Sequence, residues 1–138
     1  MRTNASITVY NKYVDIYSRS EKFQRTQIKD VAWESRKAAN VISMGGHMEV
    51  DQAQIFIPFA RKTNYLAPFA WTALSIKTAK WTLQVGDVIV KALVTDEITN
   101  IFSMSDLKAK YDDVLTISSV DTMDRGSLPM QHFQVGAR

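Results

Sequence analysis

Cysteine is absent from this chain. That excludes a disulfide framework and any thiolate metal site, and it leaves the redox compartment unmarked. Histidine is nearly absent too: His47 and His132 are the only two, far apart and in no spacing that holds zinc. No apolar run approaches the ~20 residues that span a bilayer, so no membrane partner is expected. Met1-Arg2-Thr3-Asn4-Ala5-Ser6 leads into a short alternating run and not into the apolar stretch of a signal peptide. These features predict a protein made and used inside a cell, or packed into a particle assembled there.

Catalytic signatures are missing as well. Gly45-Gly46 lacks the Lys-Ser/Thr that completes a phosphate-cradling loop, and Gly86 stands alone. The serines have no nucleophile-elbow context. Asp96, Glu97, Asp112, Asp113, Asp121 and Asp124 make the C-terminal part acidic, but they do not follow the alternate-residue spacing of a calcium loop. The expectation is a protein without catalytic residues, metal or cofactor.

What is present is a single-domain composition: 138 residues, 46% hydrophobic and 22% charged, enough chain to bury a real core. The net charge of +3 is unevenly spread. Residues 1–40 carry eight Lys/Arg against four Asp/Glu, residues 41–95 five against three, and residues 96–138 four against seven, giving +4, +2 and −3. Such a gradient is either scattered solvated charge or a dipole suited to head-to-tail packing of identical subunits, where unlike patches meet.

The organising stretch begins at Trp81. Val85-Gly86-Asp87 is a tight-turn signal, since Gly tolerates positive φ and an Asp side chain bonds following backbone N–H groups. The run Val88-Ile89-Val90-Lys91-Ala92-Leu93-Val94 then alternates with a period of two, both faces largely apolar. A second run, Val114-Leu115-Thr116-Ile117-Ser118-Ser119-Val120, is expected to pair with it across a polar, helix-like insert. Ile7 to Val14 reads as another strand, with Ile7, Val9 and Asn11 on one face and Thr8, Tyr10 and Lys12 on the other.

Residues 17–25 are polar and predict a loop. From Thr26 a strand with neither face cleanly apolar fits an edge strand with a bulge. It continues into residues 33–43, whose Ala, Arg, Lys and Glu content also permits a short helix. Gly45-Gly46 marks a turn or mobile loop. Met48 to Pro58 is a strand in which Ala53, Ile55 and Ile57 share a face, and Pro58 ends it. Residues 60–80 lack periodicity but hold Tyr65, Leu66, Phe69, Trp71 and Leu74. Loops of this length are uncommon unless functional, and the aromatics suit a docking surface as well as a cover over the core.

Residues 95–102 are read as finishing or extending the strand before them. Ser103 and Asp106 form an N-capping arrangement for a short helix from Leu107 to Tyr111. The run from Asp124 to Pro129 is turn chemistry, and Gln131 to Val135 is a last short strand. About six strands and one short helix without strand-helix alternation predict a small antiparallel β-barrel or sandwich with long loops. A barrel carrying Tyr10, Tyr13, Trp33, Phe56 and Trp71 with Lys12, Arg25, Lys29, Arg36 and Lys37 would suit single-stranded nucleic acid, unless those aromatics are core.

Several segments together carry a resemblance: Tyr10-Asn11-Lys12, Trp33 to Val41, Ile55-Phe56-Ile57-Pro58, Trp81 to Lys91, Ser105-Asp106-Leu107 through Ser119-Val120-Asp121, and His132-Phe133-Gln134-Val135. Over nearly its whole length the chain resembles small structural proteins of tailed phages and prophages, and in size and strand-rich layout it is similar to head-closure proteins. The resemblance implies a virion protein, assembled in the host cytoplasm, that forms a homo-oligomeric ring in the neck. Its implied partners are the portal or an adaptor protein on one side, a tail-side neck protein on the other, and non-specifically the packaged DNA. It also implies a loop near the channel, for which the candidates are Gly45-Gly46 and residues 60–80 with Arg61, Lys62, Tyr65, Phe69 and Trp71. Tail terminator and minor capsid protein are the neighbouring roles. Ala92 follows Lys91 where the family pattern often has Gly, which removes the expectation of a glycine bulge there.

Overall fold

The computed structural model describes residues 2–37, 42–43, 46–47 and 51–138. Six of its strands close into an antiparallel barrel: β1 (Ala5–Val14), β2 (Glu21–Lys37), β5 (Asp51–Pro58), β8 (His132–Ala137), β7 (Val114–Met123) and β6 (Val88–Val90), in that order around the ring. The expected antiparallel β-barrel is therefore what the chain forms. Two short strands, β3 (Ile42–Ser43) and β4 (Gly46–His47), pair with each other outside it. Two helices are added, α1 (Pro68–Thr72) and α2 (Met104–Lys110).

Period-two alternation builds the interior. Ile7 and Val9 of β1, Ala53, Ile55 and Ile57 of β5, Ile117 of β7, and Phe133, Val135 and Ala137 of β8 all point inward and are buried. The predicted pairing of the two central runs is present, with Val88 opposite Thr116 and Val90 opposite Val114. Gly86, at φ +97°, makes the turn that starts β6. Closure pairs every barrel strand on both sides and so removes the exposed hydrogen-bonding edge of an open sheet.

Three local expectations are corrected. Residues 17–25 are not one loop: the turn closes by Ser20, where the Ser20 carbonyl accepts from Asp15 N–H at 2.9 Å, and β2 starts at Glu21. Its first residues are polar because this end of the hairpin is solvated on both faces. β2 is not an edge strand either, since its first half pairs with β1 and its second half with β5. The bulge is real: Lys29 and Asp30 oppose Ser6, Asp30 adopts φ +59°, and the Asn4 side chain takes over the ladder by bonding both backbone groups of Trp33. Residues 95–102 do not extend β6. The chain peels away after Val90 because the Thr8 hydroxyl donates to the Ala92 carbonyl at 2.6 Å and accepts from Val94 N–H at 2.8 Å.

Both long connections lie against the barrel. Residues 59–87 cross the end toward which β1 and β7 run, and Trp81 and Leu83 plug that opening. Residues 91–113 cover the outer wall, where Val94 and Leu107 bury Tyr10, Val88 and Val90 in a second cluster. Ser103 and Asp106 form the expected capping box at the start of α2, with side chains reaching each other's backbone N–H at 3.2 and 2.9 Å. Among the described residues no helix is long and apolar enough to cross a membrane.

Candidate interaction surface

The plugged end of the barrel is held by a polar clamp. Asn11, on the inner face of β1, donates through Nδ2 to the Thr82 carbonyl and to the Asp87 carboxylate, each at 2.7 Å, and its Oδ1 accepts from Thr82 N–H at 3.2 Å. The second Asp87 oxygen accepts from Lys12 N–H at 3.0 Å. Asn11, Thr82 and Asp87 are buried, and burial pushes the Asp87 carboxyl above its ordinary value, partly offset by the donors facing it. Asp87 thus does more than shape a turn. It ties the crossing segment to a strand 75 residues earlier in the chain.

Residues 59–87 carry Arg61, Lys62, Lys77 and Lys80 against a single carboxylate, that of the buried Asp87. This crossing segment is therefore a cationic cap. Arg61 reaches Asp30 at 3.2 Å, Lys62 lies over the Phe59 ring, and Lys77 lies over the rings of both Tyr13 and Trp71. Of the residues expected in a docking loop, Phe69 is 90% exposed, and Arg61 and Lys62 are exposed. Trp71 is 1% exposed and donates from its indole to the Lys80 carbonyl, which makes it a pillar of the cap and not a contact surface. Tyr65 is half-buried against Trp81 and Phe133. Gly45 lies outside the described residues, and Gly46 belongs to β4.

The aromatics that a stacking platform would need are dispersed. Tyr10, Trp33 and Trp71 are buried, and the Tyr10 hydroxyl, its pKa raised by burial, donates to the Asp96 carbonyl at 2.6 Å. Tyr13 and Phe56 remain half-buried. His132 stacks edge-on against Phe56, and its Nδ1 lies 2.9 Å from the Met130 carbonyl. Among the described residues no three His, Asp or Glu side chains converge to hold a metal.

Exposed apolar residues are what sequence reasoning missed. Val14, Ile16 and Tyr17 at the tip of the β1–β2 hairpin and Ile76 of the cap, 63 to 91% exposed, line one groove of about 440 Å³. Ile16, Tyr17 and Ile76 stand out of any strand or helix, so no periodicity flags them.

A family model described as a family of unknown function (DUF6751) matches residues 2–138. The chain belongs to this family. No curated protein and no solved structure matches it. The match spans β1 to β8 of this DUF6751 member, so the barrel, the clamp and the cap all fall within the family's extent.

Proposed function

We propose that this DUF6751 protein is a structural subunit of a tailed-phage virion, a head-closure connector that forms a ring in the neck between portal and tail. The observation that carries the reading is the surface. Among the described residues eleven large hydrophobic side chains stay exposed, and four of them, Val14, Ile16, Tyr17 and Ile76, line one groove. Contiguous exposed apolar area marks a place where another protein sits. The segments that resemble phage structural proteins, and the cationic cap at one end of the barrel, support the same reading. The cap suits a lumen occupied by DNA, whose phosphates attract cations without regard to sequence.

The test is genetic. Deleting the coding sequence from the phage or prophage that carries it yields filled heads that leak DNA and lack tails, and supplying the protein in trans restores infectious particles. Particles with intact necks and tails after the deletion would exclude a connector.

A further inference from the structure

The turn that joins β7 to β8 gathers soft donor atoms on the outside of the barrel. Met123 and His132 face each other across the hairpin, which sets their Cβ atoms about 4.5–5.5 Å apart. Phe133 enters the core, so its neighbour His132 points out, and Met123 with it. Gly126, at φ +84°, folds the turn back, and the Met130 side chain lies over it: a methyl on Gly126 would stand 3.9 Å from Met130 Sδ. Met123, Met130 and His132 then line one open cavity of about 300 Å³, with Asp124 and Arg125. Both methionines are exposed, so an ion reaches them from solvent. The imidazole is already oriented. Its Nδ1 lies 2.9 Å from the Met130 carbonyl. A carbonyl oxygen only accepts, so Nδ1 carries the proton and Nε2 keeps its lone pair. An imidazole N–H given to a backbone carbonyl is how ligating histidines are commonly held. The ring is further fixed edge-on against Phe56, centroids 5.5 Å apart.

We propose that this turn binds a soft monovalent ion, copper(I), through the thioethers of Met123 and Met130 and Nε2 of His132. Thioether sulfur and imidazole nitrogen are neutral donors that favour copper(I), whereas zinc draws on thiolates or several imidazoles, and calcium and magnesium on several oxygens. Asp124 is the one carboxylate lining the cavity, and the Arg125 guanidinium beside it opposes a divalent ion more than a monovalent one. The site uses the outer face of one hairpin and is independent of the ring reading, so either fails without the other.

With no cysteine in the chain, no thiolate competes for the ion. The full chain is titrated anaerobically with copper(I) against a chromophoric copper(I) chelator, and the methionine methyl resonances are followed during titration with silver(I), a redox-inert stand-in. Copper(I) saturates at one ion per chain, and silver(I) shifts the methyls of Met123 and Met130 but not that of Met104 on α2. Met123→Leu, Met130→Leu and His132→Gln each weaken copper(I) binding about tenfold or more. The two leucines keep the methionine volume, so those variants retain the fold. His47→Gln, at the other histidine and beside Met44 and Met48 in sequence, changes nothing. The proposal is overturned by absence of binding, by shifts spread over all the methionines, or by zinc(II) held as tightly as copper(I). Loss of the ion on His47→Gln with binding intact in Met123→Leu overturns it as well.

Discussion

Asn11→Asp changes one atom in the buried clamp, from a nitrogen that donates twice to an oxygen that only accepts. In the parent, Nδ2 stands 2.7 Å from the Thr82 carbonyl and 2.7 Å from the Asp87 carboxylate. With both carboxyls ionised the substitution sets acceptor against acceptor at both contacts. A neutral hydrogen bond is worth about 1 kcal/mol and one to a charged group about 1.5–3, and two carboxylates this close cannot both be ionised. The loss at neutral pH comes to roughly 3–5 kcal/mol, a large share of a typical domain's 5–15. For a chain of this size that lowers Tm by about 10–15 °C. The pH dependence has a definite sign. The pair's folded pKa is raised above the unfolded value, so the folded variant holds a proton that the unfolded chain has released. Stability is therefore fully present below the unfolded pKa and lost as pH rises through the folded one. Asp87 in the parent shifts in the same direction, more weakly, because Asn11 and Lys12 donate to it. Thermal melts by circular dichroism from pH 4 to 8, with Asn100→Asp on the exposed turn as control, measure the gap between variant and parent. The gap narrows on acidification. A variant within about 2 °C of the parent at pH 7, or a gap that widens toward acid, would refute the clamp.

Trp71→Ala removes a buried indole and its bond to the Lys80 carbonyl, costing about 3–5 kcal/mol by denaturant titration, whereas Phe69→Ala two positions earlier stays within about 0.5 kcal/mol. Equal effects would show that the cap does not divide into pillar and surface. Gly86→Ala costs about 1–2 kcal/mol by φ alone, since no neighbouring atom lies within 4 Å of the added methyl; an unchanged Tm would contradict the turn. Ser103→Ala loses the cap of α2, about 1 kcal/mol, and hydrogen exchange speeds up at residues 104–107 before any change in the barrel.

The legible parts of the fold were those where one face meets one core. β5 and β8 alternate cleanly because their inward residues all enter the barrel, and the Ser103–Asp106 spacing describes a cap that closes within four residues. The illegible parts depend on distant partners. Thr8 reads as an ordinary strand residue, yet its hydroxyl substitutes for the ladder and turns the chain out after Val90. Asp87 reads as a turn residue because its donors, Asn11 and Lys12, come from the first strand. The aromatic segment at residues 60–80 carried two signals at once, pillar and surface. Only the fold separates them, turning Trp71 inward and leaving Phe69 and Ile76 in solvent. The groove itself joins a hairpin tip to a cap about 60 residues later in the chain, a juxtaposition that closure of the barrel creates.

Cryo-electron microscopy of the intact virion tests the central claim most directly. The account predicts a closed ring of six-stranded barrels between portal and tail. Barrel density in the capsid lattice or tail tube, or particles that lack the protein altogether, would contradict it.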